Sequence, residues 1–409
     1  MRFFHLSDLH IGKQLHHYSL IEEQRDLLMQ VIAYAKEEKP DAILIAGDIY
    51  DTPVPSAEAV AVFDEFLSGL DDLEQELTIC IIAGNHDSAK RLDYASQILA
   101  KHAIHIAGMP PTTEEEYLRK VTLKDECGEV LIYLLPFVKP GFVRKLYPDE
   151  VLSFSEAVQR LLDREAIDTK KRNILVSHQF YAGGGVTPLT SDSEVHVVGG
   201  IDNVDVGVLE KFDYAALGHI HKCQKVGSES NRYCGTLFPY SVSEAEEEKF
   251  VTMVEMGAKG EEVQTTNLPL TLKRRVRKLS GTMEEVLGMA VNADLPCASQ
   301  VAKGNADLPV TPQDAAKCHD YVSITLTDEV EAYNPREQLE EVYDHILEIR
   351  IDNSRTRKLL ELGEFEAENL DPYEAFCDFF AEINGREMTE EEDAVLKEVL
   401  QEGGVREAE

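Results

Sequence analysis

Five short apolar runs in this chain each stop on polar side chains that are costly to bury. "HLSDLH" ends on Asp8 and His10, "ILIAGD" on Asp48, "CIIAGNHD" on Asn85, His86 and Asp87, "ILVSH" on His178, and "ALGHIH" on His219 and His221. The apolar parts read as buried strands, and helical patterns over residues 21–38 and 56–70 separate the first three, giving a β-α-β-α-β order. In an open α/β sheet the carboxyl ends of the strands face one crevice. The chain is therefore constrained to a layered α/β fold in which these ends meet. The i, i+2 spacing of Asp8 with His10, and of His219 with His221, sends each pair to one side of an extended backbone. Gly47, Gly84 and Gly218 each precede a polar group by one residue, where a missing Cβ lets the chain bend sharply out of the sheet.

The donor types select a chemistry. Asp8, Asp48 and Asn85 offer hard oxygen, while His10, His178, His219 and His221 offer imidazole nitrogen, a mixture suited to two divalent ions. Two ions about 3.5–4 Å apart share a carboxylate and activate a water for in-line attack on phosphorus, so phosphate-ester hydrolysis is the expected reaction. Singly, each motif is weak: a histidine at a strand end is more often a hydrogen-bonded structural residue. The joint pattern favours metals. A metal-free scaffold that recruits partners is the rival from another class, and the completeness of the donor set argues against it.

Charge limits how such a protein meets nucleic acid. The net charge of −36 contrasts with the basic face usual for unaided DNA binding, so any such function is local or shared with a partner. Residues 361–409 alone carry 17 acidic against 3 basic side chains. Two short basic runs, "TLKRRVRKL" (271–279) and "TKKRN" (169–173), are phosphate patches or solvated faces with comparable weight. No leader-like segment follows Met1 and no apolar run is long enough for a membrane span, which places the expectation in the cytoplasm with no membrane role. The seven cysteines are scattered and never form C-x-x-C, so reduced thiols are expected.

Four regions are expected: a layered α/β domain over 1–262, a small α+β domain over 263–352, an acidic linker over 353–368 and a helical segment over 369–409. In the small domain a strand is expected over 321–328. Asn334-Pro335 then opens a helix with Leu339, Val342, Ile346 and Leu347 on one face. In the last segment Phe376, Phe379, Phe380 and Ile383 fall at i, i+3, i+4, i+7, a stripe suited to a partner, and Thr389 with Glu392 reads as a capping box. Residues 56–70 or 94–98 could supply a face for a homodimer.

The order D-x-H, G-D, G-N-H-D, H, G-H-x-H resembles the calcineurin-like metallophosphoesterases over about residues 1–256. "FFHLSDLHIGKQL", "DAILIAGDIYD", "IAGNHDS", "DYAALGHIHK" and "YCGTLFPYSVSEAEEEK" resemble the SbcD family of bacterial exonuclease subunits within it. That resemblance implies a layered β-sandwich core flanked by helices, a DNA-capping domain and C-terminal partner-binding helices. It implies two metal ions, manganese being usual: Asp8, His10, Asp48 and His221 would hold one, and Asp48, Asn85, His178 and His219 the other. His86 would act on the scissile phosphate with Asp87 orienting it. It also implies double-strand 3′–5′ exonuclease and single-strand endonuclease activity on DNA, an SbcC-like coiled-coil ATPase as partner, and a homodimer within a heterotetramer. A phosphoesterase of the same superfamily acting on nucleotides or phosphoproteins is the alternative. Archaeal and eukaryotic relatives carry a second histidine three residues beyond the bridging aspartate, whereas this chain has Asp51.

Overall fold

The computed structural model describes residues 1–73, 75–183, 187–194, 202–290, 317–330 and 333–357, with scattered positions from 373 to 397. The first helix runs Ile21–Glu38 and is closed by Lys39 in the left-handed conformation, just ahead of Pro40. The second runs Ala57–Asp71, and its cap residue Ser56 accepts a hydrogen bond from the Ala59 N–H at 3.1 Å.

Strands Arg2–Leu6, Ala42–Ala46, Thr78–Ile82 and Ile104–Ala107 pair in parallel in that order. Phe250–Glu255 lies antiparallel against Arg2–Leu6, and Gln264–Pro269 pairs with it to complete a six-stranded sheet. The first sheet thus continues past residue 262, where composition suggested an edge. Its last strand is mostly polar because only one edge is paired and its side chains are largely exposed.

A second six-stranded sheet has the order Gln224–Val226, Ser228–Tyr233, Tyr214–Gly218, Arg172–His178, Gly128–Leu135, Arg119–Asp125. The two sheets stack through an apolar layer that includes Phe3, Leu44, Ile82, Ile132, Val176 and Ala216. The outer face of the first is covered by Leu27, Val31, Phe63 and Phe66 of the two helices, and that of the second by Val158, Leu161 and Leu162 of helix Phe154–Asp163. Central strands buried on both faces explain why their sequences read as unbroken apolar runs. Each such side chain contributes about 1.5–3 kcal/mol on burial. His5 brings a titratable group between the sheets: its Nδ1 is 3.0 Å from the Tyr214 hydroxyl and its Nε2 is 3.2 Å from the Leu217 carbonyl.

Beyond the sandwich, Val276–Gly281, Cys318–Leu326 and Tyr343–Ile351 form a parallel three-stranded sheet with helices Met283–Ala290 and Pro335–Glu340. The expected longer helix is corrected here. It ends at Glu340, and Ile346 and Leu347 belong to a strand. Their spacing suits either element, and pairing with Cys318–Leu326 decides between them. Tyr321 donates to Glu23 Oε1 at 3.0 Å, and Val276, Tyr321 and Leu347 join the core beneath the first helix, tying this sheet to the sandwich.

Both sequence-visible basic runs are largely consumed by internal pairing. Lys273 meets Asp26 at 2.5 Å, Arg274 meets Glu23, and Arg277 meets Asp320 at 3.5 Å. Lys171 meets Glu129 at 2.6 Å, and buried Arg172 is clamped by Asp125 with the Gly128 and Gly257 carbonyls. Toward the C-terminus, Thr389 and Glu392 form the expected reciprocal caps at 2.9 and 3.3 Å. Phe376 and Phe379 are exposed, Phe380 is half-buried, and Ile383 lies outside the described residues.

Candidate metal centre

Parallel pairing aligns the strand ends that carry the polar groups. Ala46 is in register with Ile82, and Gly218 with His178, so the loops leaving both sheets emerge at one edge of the sandwich. Asp8 and Asp48 there have left-handed backbones, φ 52° and 50°, as does His10 at 44°. The i, i+2 pairs therefore do not lie on extended chain. Asp8 and His10 still converge, with His10 Nε2 4.0 Å from Asp8 Oδ1. His219 and His221 instead part: the first reaches Asn85 and the second His10. Backbone bonds from the Asp8 N–H to the Gly47 carbonyl and from the His10 N–H to the Asp48 carbonyl, both 3.0 Å, lock the two loops together.

The three glycines serve closeness more than bending. Only Gly47 of them has a positive φ, 89°. A Cβ on Gly84 would stand 2.1 Å from Asp48 Oδ1 and 2.5 Å from the Asp48 nitrogen, and one on Gly218 would stand 2.0 Å from the Ala46 carbonyl oxygen. These residues let loops from different strands touch.

All seven expected donors meet. Asp8, His10 and His221 offer ligand atoms within 4.8 Å of one another, as do Asp8, Asp48 and His178. Asp48 stands between: its Oδ2 is 3.7 Å from His10 Nε2 and 3.3 Å from His178 Nε2. Asn85 Oδ1 is 3.0 Å from both His178 Nε2 and His219 Nδ1. Most of the set is buried, whereas Asn85 and His86 are half-buried at the mouth.

The hydrogen-bond pattern fits cations at the centre. His178 Nδ1 is 2.7 Å from the Ala46 carbonyl, which can only accept, so Nδ1 carries the proton and the Nε2 lone pair faces the Asp48 and Asn85 oxygens. Likewise His10 Nε2 and His221 Nε2 face each other at 3.2 Å. Acceptor atoms converging in a buried pocket repel one another unless positive charge lies among them. The titration behaviour agrees: burial disfavours the His178 imidazolium, yet Asp48 and Asp8 overcome this and raise its pKa to about 9. Burial would raise the Asp48 carboxyl, but His178, His10 and His86 pull it below the ordinary carboxylate range.

Around these donors lies a supporting layer. Asp51 Oδ1 is 3.4 Å from His10 Nδ1 and 2.9 Å from Lys13 Nζ. The Asp51 carbonyl is 2.9 Å from His86 Nδ1, so that nitrogen donates and Nε2 faces away from it. Asp87, expected behind the His86 ring, instead accepts from the backbone N–H groups of Gly84, Ile49 and Tyr50 at 2.9, 3.1 and 3.0 Å, and so fixes the loop. The His86 N–H donates to Asp48 Oδ1 at 2.8 Å.

Sequence reading missed the residues behind His221. His221 Nδ1 is 2.7 Å from Ser193 Oγ, which donates to Glu244 Oε1 at 2.6 Å, and buried Lys249 closes the chain on Glu244 Oε2 at 2.9 Å. Burial would raise the Glu244 carboxyl, but His221 and Lys249 hold it below the usual range. The only signal was the run "SVSEAEEEK", which does not distinguish Glu244 from its neighbours. Gln24 was also missed; its side-chain N–H groups reach the His10 and Leu9 carbonyls at 2.7 and 3.2 Å and brace the first loop.

Residues 1–223 match the calcineurin-like phosphoesterase family model, and residues 273–384 match the SbcD C-terminal model, described as the type 5 capsule protein repressor C-terminal domain. The chain is 30% identical over 291 residues to the SbcD subunit of the nuclease SbcCD from Staphylococcus epidermidis, covering 70% of this chain and 74% of that one. The protein of the same name from Staphylococcus saprophyticus is 32% identical over 291 residues, covering 70% and 73%. Among solved structures, a dimetal phosphatase from Danio rerio aligns with a TM-score of 0.40 at 12% identity, over 66% of this chain and 96% of that one. Among the described residues no helix is long and apolar enough to cross a membrane.

Proposed function

Because the chain belongs to the calcineurin-like phosphoesterases and, within them, to the SbcD nuclease subunits, we propose that it hydrolyses DNA phosphodiesters with two divalent ions, manganese by family expectation. Its activities would be double-strand 3′–5′ exonuclease and single-strand endonuclease, serving DNA end processing, repair and recombination. The observation that carries this reading is Asp48 Oδ2 standing between His10 Nε2 and His178 Nε2, as a bridging ligand must. Asp8, His10, Asp48 and His221 would hold one ion, and Asp48, Asn85, His178 and His219 the other. When bound, such a pair supplies charge to the transferring phosphoryl group and lowers the pKa of water. The chain's own part is to fix the donors and to place a proton. With His86 Nδ1 engaged by the Asp51 carbonyl, the imidazolium form presents an Nε2–H to the departing oxygen at the open mouth.

The partner would be an SbcC-like ATPase, as the names of the relatives imply. Exposed Phe376 and Phe379, 6.4 Å apart by ring centroid and set within the strongly acidic last stretch of the chain, support docking of that segment on it, with Phe380 and Ile383 continuing the expected stripe. Regions 1–262, 263–352, 353–368 and 369–409 would then serve as nuclease, DNA cap, linker and docking segment. Exposed Val60, Tyr94 and Ile98 suit the face of a homodimer within a heterotetramer. Purified protein with Mn2+ should degrade linear duplex and single-stranded DNA. Turnover of mononucleotides or phosphopeptides with DNA left intact would transfer the assignment to another phosphoesterase activity.

A further inference from the structure

The sequence-visible basic runs are tied up internally, which raises the question of where this acidic chain keeps cations free for phosphate. Among the described residues, Lys90, Arg119 and Lys145 have no ion-pair partner, yet they line one pocket of about 650 Å³ together with the aromatic rings of Tyr117 and Phe142. The guanidinium of Arg164 adds a further positive group 5.3 Å from the Tyr117 ring. The pocket's two carboxylates are already occupied. Glu116 accepts from the Thr112 and Thr113 N–H groups at 2.7 and 3.2 Å, and Asp93 from the Gly108 N–H at 3.3 Å.

Its position connects it to the candidate metal centre. Ala107 and Gly108 of the lining lie at the carboxyl end of Ile104–Ala107, beside the strand that leads into Asn85 and His86. Two chain segments run from one site to the other. Lys90 follows Asp87 by three residues. Phe137, whose N–H donates to the Ala83 carbonyl at 2.9 Å and whose ring stacks on His219 at 6.3 Å, leads through Lys139, 5.7 Å from that ring, to Phe142 and Lys145.

We infer that this pocket is a nucleotide subsite, in which Lys90, Arg119 and Lys145 hold phosphates and the two rings receive bases of the strand flanking the cleaved bond. Cations with adjoining aromatic faces match the chemistry of single-stranded nucleic acid. The inference rests on the nuclease reading and deepens it.

The test uses the full chain carrying Lys90→Ala, Arg119→Ala and Lys145→Ala, with Lys36→Ala and Lys101→Ala as a control for general charge. Binding of a fluorescent single-stranded oligonucleotide is titrated over salt, and Mn2+-dependent hydrolysis of bis(4-nitrophenyl) phosphate, too small to span both sites, is followed in parallel. The triple variant should lose about 2 from the slope of log affinity against log salt, about 0.7 per phosphate contact, while small-diester hydrolysis and the control keep parental values. An unchanged slope, an equal loss in the control, or loss of small-diester hydrolysis in the triple variant alone would overturn the subsite. Absence of small-diester and DNA hydrolysis from the parent itself would instead sink the nuclease reading. If the triple variant keeps its oligonucleotide affinity but loses binding to a polyglutamate peptide, the pocket belongs to an acidic polypeptide and the inference is overturned.

Discussion

Asp48 Oδ2 lies 3.3 Å from His178 Nε2, joining the end of a strand in one sheet to the end of a strand in the other. This contact places the candidate metal centre across the seam of the sandwich, so its geometry depends on how the two sheets stack. Small changes at the seam should be read out as changes in metal binding.

Gly84→Ala tests the seam directly. Its new Cβ would meet Asp48 Oδ1 and the Asp48 backbone nitrogen, neither of which can yield without moving the loop. We expect a loss of about 1–3 kcal/mol in stability together with at least tenfold weaker Mn2+ binding by calorimetry. Parental affinity in a folded variant would show that Asp48 is not held by this contact.

His86→Ala separates ligation from proton transfer. With the ring removed, DNA cleavage should fall by about 10²–10⁴, while elemental analysis still finds the parental metal content. Loss of metal along with activity would recast His86 as a ligand, and retained cleavage would remove its catalytic role.

The chain His221–Ser193–Glu244–Lys249 makes a stability prediction. Glu244→Ala strands the buried Lys249 ammonium, leaving it Thr236 Oγ1 at 2.9 Å and Glu247 at 3.3 Å, and should cost about 3 kcal/mol in urea denaturation. Adding Lys249→Met removes the stranded charge and should recover most of that loss. A double variant no more stable than Glu244→Ala would show that the ammonium is not the source of the cost.

His5 sets a pH dependence remote from the donors. Burial between the sheets lowers its pKa from 6.5 to about 3, with the Leu217 carbonyl only partly opposing this. Between those values the unfolded chain binds a proton that the folded chain refuses, so stability is complete above about pH 6.5 and falls as pH drops toward 3. The size is up to about 5 kcal/mol at about 1.4 kcal/mol per pKa unit. In His5→Gln that contribution is absent, so the stability gap between parent and variant should narrow as pH falls across this range. A constant gap in equilibrium unfolding would refute the assignment.

The sequence by itself determined the strand ends and the donor list. Apolar runs of strand length stopping on Asp8, Asp48, Asn85, His178 and His219 leave few folds other than a layered sheet, because burying such groups apart would leave each unpaired. The first helix could be read to its observed termini for a local reason, a long amphipathic stretch halted before Pro40. What only the tertiary structure decided are relationships between distant segments. The left-handed turns at Asp8 and His10, the parting of His219 from His221, and the choice of strand over helix at Ile346 all follow from pairing with other strands. Asp87 and Glu244 carry no local mark of their roles, since a carboxylate is defined by whichever donors reach it. The same holds for cations: the basic runs visible along the chain are neutralised by partners far away in sequence, and those left over gather only when the chain is folded.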